Sequence, residues 1–262
     1  MNTSQRTVNP GRFQSRRALV AGGGTGLGRV VARALAAEGA TVVVAGRTEA
    51  TLRETVRLIE ADGGRAQAVT ADLTDAADAR RLVDDAVGEL GGLDVAVNAV
   101  GILRGAGQAV ADIAEEDWDA MLAANVTGTW LFLREVVRAM RASGGGAIVT
   151  VSSDLGPHIR IPGMGAYAAT KAAVSALTRA AARDHIAEGI RINAVSPGAL
   201  DTPMSLQPGE TEAERALRMK EQSPLGRVGT LEEVASAILH LASEESGYTV
   251  GADLVIDGGA AA

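Results

Sequence analysis

The chain of 262 residues contains no cysteine. Disulfide frameworks, thiolate nucleophiles and cysteine zinc sites are therefore excluded, although that absence leaves the redox compartment open. Aromatic residues make up only 2%, with two each of Trp, Tyr and Phe, so the core has to be built from Ala, Val, Leu and Ile. Histidine occurs three times, as His158, His185 and His240, without metal-ligand spacing, and no metal site is expected. No apolar run approaches the roughly 18 residues of a membrane span. The opening "MNTSQRTVNPGRFQSRR" is polar and basic, without the apolar centre of a signal peptide. Positive charge is not in excess either. The 25 basic and 32 acidic residues leave a net charge of −7, which argues against nucleic acid as a partner. A cytoplasmic protein that binds no membrane, with a short flexible leader over residues 1–15, is the expectation.

What is present is a soluble composition, 47% hydrophobic and 22% charged. The length suits one α/β domain, and although it also allows two small ones, no composition break asks for them; residues 16–262 are read as one domain. Seven short aliphatic runs recur: "RALVA" (17–21), "TVVVA" (41–45), "AQAVT" (66–70), "DVAVN" (94–98), "AIVTV" (147–151), "RINAV" (191–195) and "DLVID" (253–257). Runs without polar alternation are strands buried on both faces. Helical patterns lie between them, one opened by Thr230 and Glu233 at capping-box spacing. Alternation to the end predicts a Rossmann-like, doubly wound α/β fold with a seven-stranded parallel sheet flanked by helices on both faces. One excursion, about 199–228, interrupts it with four prolines between 197 and 224 and a charged helical patch. It is expected to be a substrate lid or else a long surface loop.

After the first run comes "AGGGTGLGR", with Gly22, Gly26 and Gly28 spaced as GxxxGxG. Glycines there allow a tight strand-to-helix turn and close approach of a pyrophosphate to a helix N-terminus, though flexible turns alone also collect glycines. The second run ends in Gly46 and Arg47 rather than in an acid. A guanidinium can pair with a 2′-phosphate, which favours NADP(H), with NAD(H) still possible; a solvated arginine is the alternative. Asp72 can accept from an adenine amino group, close a loop or cap a helix.

From about Arg16 to Gly259 the chain resembles the single-domain short-chain dehydrogenase/reductase family. The resemblance rests on "GGGTGLG", "DL" at 72–73, Asn125 in "NVTG", Ser153 in "VSSDLG", Tyr167 and Lys171 in "YAATK", "SPGALDT" at 196–202 and "DGG" at 257–259. It implies hydride transfer between a nicotinamide and a carbonyl or alcohol carbon of a small molecule, in a homotetramer. Asn125, Ser153, Tyr167 and Lys171 would be the catalytic set. Gly22, Thr25, Gly26, Leu27, Gly28, Arg47, Asp72, Leu73, Asn98, Gly101, Tyr167, Lys171, Pro197, Gly198 and Thr202 would meet the cofactor.

In that family tyrosine is the proton partner and the lysine also holds the nicotinamide ribose. A phenol titrates near pH 10, so the Lys171 charge, at i+4 on the same helical face, is expected to favour phenolate. Ser153 would polarise the substrate carbonyl, with its neighbour Ser152 the less suited candidate. Asn125 would help hold a water that links the lysine to solvent, or else repair a kink. Thr202 would bond the carboxamide or cap a helix before Pro203.

Two departures stand out. Ser153 and Tyr167 are fourteen positions apart rather than the usual thirteen, and "NAVG" at 98–101 replaces the usual "NNAG", so that Ala99 and Val100 flank Asn98 and Gly101. His158 and Arg160 can meet a polar or anionic substrate or simply be solvated. The expected activity is that of an NADP-dependent ketone reductase. An NAD-dependent alcohol dehydrogenase, a non-catalytic dinucleotide sensor and a methyltransferase are the competing classes.

Overall fold

The computed structural model describes residues 11–207 and 209–262. Strands and helices alternate as β1 (Arg17–Ala21), α1 (Gly26–Ala37), β2 (Thr41–Gly46), α2 (Glu49–Ala61), β3 (Arg65–Thr70), α3 (Ala76–Leu90) and β4 (Val95–Asn98). There follow α4 (Glu115–Met121), a π-helical turn (Leu122–Thr127), α5 (Gly128–Ser143), β5 (Gly146–Val151), α6 (Gly165–His185), β6 (Ile190–Pro197), α7 (Glu212–Gln222), α8 (Leu231–Ala242) and β7 (Asp253–Ile256). All seven expected strands pair in parallel, in the order β3-β2-β1-β4-β5-β6-β7.

The unbroken apolar runs follow from burial on both sides. In β1, Ala18 and Val20 join Val31, Leu35 and Ile238 in one layer. Leu19 and Ala21 join Leu82, Val136 and Met140 in the other. Successive strand side chains point to opposite faces, so neither position tolerates a polar group. Each fully buried Val or Leu contributes about 1.5–3 kcal/mol.

The expected flexible leader is corrected over residues 11–15. They form a turn in which Phe13 is 1% exposed within the first layer, and Arg12 pairs with Glu38 at 2.6 Å. Residues 1–10 lie outside the described residues.

The excursion after β6 is folded rather than a plain loop. Its base is closed by Gly229 N–H donating to Ala199 O (2.9 Å) and Asp201 N–H donating to Gly229 O (3.0 Å). Inside it, α7 opens with a Thr211–Glu214 capping box, and the buried Arg215 donates to Thr202 O, Ser205 Oγ and the Asp201 carboxylate. The Thr230–Glu233 box opens α8 as the spacing predicts.

Candidate active site

The chain winds outward from β1 to β3, then returns to place β4 against the other edge of β1. That reversal opens a crevice at the carboxyl ends of β1 and β4. Most of the residues singled out from the sequence lie at the strand ends and in the loops that border it.

On the β1 side the turn Gly22–Gly28 leads into α1. A Cβ on Gly28 would sit 2.2 Å from Gly22 O, so only glycine lets the turn close on the helix. Gly26, at φ +49°, has nothing within 4 Å of where a Cβ would stand, which leaves an open cradle above the helix. Thr25 occupies the N-cap position without a side-chain capping bond, and the first turn of α1 contains no acid. Its amides are thus available to an anion, and Leu27 lies partly buried in the same turn. These residues fit a dinucleotide pyrophosphate.

Two residues that the sequence reading passed over brace the turn from behind. Thr55 Oγ1, fully buried, donates to Gly23 O at 2.9 Å. Arg29 donates to Thr55 Oγ1 at 3.0 Å and to Gly24 O. A threonine in the middle of α2 shows no motif spacing by which to find it.

Arg47 is exposed just past β2. Asp72 lies two residues beyond β3, and its Oδ1 accepts from the Thr74 amide (2.9 Å) and hydroxyl (2.8 Å), so it closes a local turn. The helix cap is Asp75 instead. Leu73 is buried and faces Gly128 through its carbonyl.

At the end of β4, Asn98 is buried and donates to Thr129 Oγ1 at 3.0 Å, while its Oδ1 accepts from Val100 N–H at 3.1 Å. Thr129 in turn donates to Asn125 O at 2.7 Å. "NAVG" therefore keeps an anchored loop: Ala99 N–H bonds Ala21 O (2.9 Å) and Val100 packs on the second core layer. Gly101 admits Lys171, whose Nζ would lie 3.1 Å from a Cβ there.

Asn125 sits in the π-helical turn, fully buried. Its Oδ1 accepts from Ile102 N–H (2.8 Å), and its Nδ2 donates to Ile102 O (2.9 Å) and Thr170 Oγ1 (3.0 Å). The wider turn aims the amide sideways at the β4 loop and α6. None of its hydrogen bonds among the described residues reaches Lys171.

The β5 end separates the two serines. Ser152 bonds Ser175 Oγ (2.8 Å) and Lys171 O (2.9 Å), fastening α6 to the sheet. Ser153 Oγ accepts from Leu155 N–H (3.2 Å) and donates to Asp154 Oδ1 (3.2 Å), close to the Tyr167 phenol. In the segment between Ser153 and Tyr167, Leu155 bridges Ile159.

On α6, Lys171 is 3% exposed, and its Nζ donates to Val151 O at 2.9 Å while lying 5.7 Å from the Tyr167 ring centre. Burial pushes the ammonium down to about 8. Burial also pushes the Tyr167 phenol up to about 12, with the nearby Ser153 hydroxyl opposing and the Asp154 charge adding to it. Burial thus runs against the expected tilt towards phenolate. In a dry site desolvation of the anion outweighs the neighbouring ammonium, whose hydrogen bond goes to a carbonyl.

Pro197 and Gly198 end and follow β6 beside this cluster; Pro197 O accepts from Asp154 N–H and Gly198 N–H donates to Ile256 O, both at 3.0 Å. Thr202 precedes the short Pro203–Ser205 turn but makes no side-chain cap, so its hydroxyl is not consumed in that way. Neither His158 nor Arg160 points to a substrate role: His158 Nε2 lies 3.3 Å from Asp253 Oδ2, and Arg160 is exposed. Among the described residues no group of His, Asp or Glu is arranged to hold a metal, and no helix is long and apolar enough to cross a membrane.

Residues 21–261 match the family model described as enoyl-(acyl carrier protein) reductase. A (3R)-3-hydroxyacyl-CoA dehydrogenase of Mus musculus is 38% identical over 257 residues, 95% of this chain and 97% of that one. The crystal structure of a short-chain type dehydrogenase/reductase from Mycobacterium marinum superposes with a TM-score of 0.88 at 39% identity, covering 95% of this chain and 96% of that one. A short-chain dehydrogenase from Burkholderia cenocepacia, in complex with NADP, gives 0.87 at 35% identity, covering 96% of this chain and all of that one. With likeness running the length of the chain and the Ser153, Tyr167 and Lys171 cluster at the expected sheet edge, the protein belongs to the short-chain dehydrogenase/reductase family, oxidoreductases acting on CH–OH and C=O groups.

Proposed function

We propose that the protein reduces a ketone with NADPH, Tyr167 giving the proton. The observation that carries the reading is the Tyr167 phenol, buried beside Ser153 one helical turn from the buried Lys171. Protonated at neutral pH as any phenol is, Tyr167 can give a proton to the carbonyl oxygen, and it is Arg47, by favouring NADPH, that points to reduction. Ser153 lies where its hydroxyl can hold the carbonyl oxygen, and Lys171, buried against Gly101, is placed to hold the ribose.

A bound nicotinamide supplies the hydride. Gly22, Thr25, Gly26, Leu27 and Gly28 would cradle its pyrophosphate. The adenosine would lie past Arg47, Asp72 and Leu73, and Asn98, Gly101, Pro197, Gly198 and Thr202 would border the nicotinamide half. Exposed Arg47 supports a 2′-phosphate, as does the NADP complex of the Burkholderia cenocepacia relative. With Asp72 turned to Thr74, its part is to shape the loop under the adenine. The α7 excursion is read as the substrate lid, and Asn125 as the brace between Ile102 and α6.

We read the protein as cytoplasmic and as a homo-oligomer, a tetramer by family. Trp130 on α5 and Leu254 on the edge strand β7 are exposed apolar groups that a partner copy would cover. The test of function is NADPH consumption across a panel of neutral ketones, with NADH as the paired control. Turnover with NADPH at least about tenfold above NADH is expected; turnover with neither cofactor contradicts the reading.

A further inference from the structure

We infer that Asp154 is a specificity-determining residue, whose carboxylate accepts a hydrogen bond from a hydroxyl on the carbon next to the reacting one, so that the site selects α-hydroxy ketones and the vicinal diols they become. The inference rests on the hydride-transfer reading above.

Asp154 is fixed in place by its backbone. Its N–H donates to Pro197 O (3.0 Å), and its carbonyl accepts from the amides of His158 (3.1 Å) and Ile159 (2.9 Å). The side chain is 5% exposed and lies between the end of β5 and the end of β6, where Oδ2 would stand 3.3 Å from a Cβ on Gly198. Oδ1 is 3.2 Å from Ser153 Oγ. On binding, the single Ser153 proton turns from Oδ1 to a substrate oxygen about 2.7–2.8 Å away, which leaves Oδ1 without that donor. A hydroxyl on the adjacent carbon, one hydrogen-bond length from the held oxygen, then comes within reach of Oδ1.

The chemistry of the surroundings points to a neutral donor. The titratable groups facing Asp154 are Tyr167 from α6, His158 from its own loop and Asp257 from the segment after β7. No salt bridge ties Asp154 to a cation among the described residues. Burial pushes its carboxyl up to about 6, helped by Asp257 and opposed by bonds from Leu155 N–H and Ser153. At neutral pH it is mostly ionised. A carboxylate offers about four acceptor sites, and among the described residues no more than these two donors approach it. A buried charge short of donors is costly, and a substrate hydroxyl would fill the gap, whereas a substrate carboxylate there would be repelled.

In the step itself the carbonyl π bond breaks. The carbon takes a hydride from reduced nicotinamide, which is oxidised, and the oxygen takes the Tyr167 proton. The neighbouring hydroxyl is unchanged and stays bonded to Asp154.

The test is kcat/KM with NADPH for 2-butanone and 3-hydroxy-2-butanone at pH 8, in wild type and Asp154→Ala. Wild type should favour the hydroxy ketone by about tenfold or more, and the substitution should lower that ratio by about fivefold or more. The wild-type ratio should also fall between pH 8 and pH 5 as the carboxylate is protonated, and this arm stands even if the variant fails to fold. Turnover of both ketones with a ratio that neither the substitution nor pH alters overturns the assignment of Asp154 alone. Turnover of neither, with NADPH or NADH, overturns the hydride-transfer reading and this inference with it.

Discussion

The two ends of the crevice are made of different material. The β1–α1 end is backbone: glycines too crowded for a Cβ, open helix amides, and a buried Thr55 that bonds the turn from behind. The β5–α6 end is side chains: Ser153, Asp154, Tyr167 and Lys171, all buried and three of them shifted well away from their solution pKa. A backbone cradle binds any ligand of the right shape and charge with little reorganisation, while a dry cluster of ionisable groups has its proton affinities set by burial and neighbours. Substitutions at the two ends should therefore fail differently, the first in binding and the second in protonation.

The largest effect on cofactor binding is expected from Gly28→Val. With no room for even a Cβ beside Gly22 O, the turn has to open, and NADPH affinity measured by fluorescence titration should fall by about a hundredfold or more. Near-normal affinity would mean that the cradle is not where the cofactor binds.

A smaller effect belongs to the other end. The folded pKa of Asp154, about 6, lies above its unfolded value. Its contribution to stability is therefore fully present below about pH 4 and is lost as pH rises through about 6. Asp154→Asn removes this dependence. Urea unfolding at pH 4 and pH 7 should show the variant gaining on wild type by on the order of 1–3 kcal/mol over that interval. A constant difference would mean that the carboxyl is not desolvated.

The smallest effect is expected at exposed Arg47. Arg47→Ala should weaken NADPH by about tenfold and leave NADH within about twofold. Equal loss for both cofactors would remove the 2′-phosphate from the account.

How much of this was legible in the sequence follows the same division. All seven strands could be read, because a strand covered on both faces has no polar alternation to confuse it, and the glycine turn could be read because crowding leaves only one residue type. Phe13 could not: a single ring in a basic, polar stretch has no periodicity, and its place in the core is a tertiary fact. Thr55 and Arg29 were missed for the same reason. The Tyr167–Lys171 spacing gave the shared helical face correctly but was silent on burial, which pushes the phenol upwards, since spacing reports neighbours and not solvent. Asp154 stood in plain view inside "VSSDLG", and only its burial separates it from a solvated loop acid. The choice between Ser152 and Ser153 likewise needed the packing of α6, which consumes Ser152.

The central claim is that Tyr167 gives the proton while the backbone cradle binds the cofactor independently of it. The most direct measurement is turnover and NADPH affinity of Tyr167→Phe, which removes one oxygen from a buried ring. The account predicts turnover lowered by at least about a thousandfold with NADPH affinity within about threefold of wild type. Turnover close to wild type would contradict it.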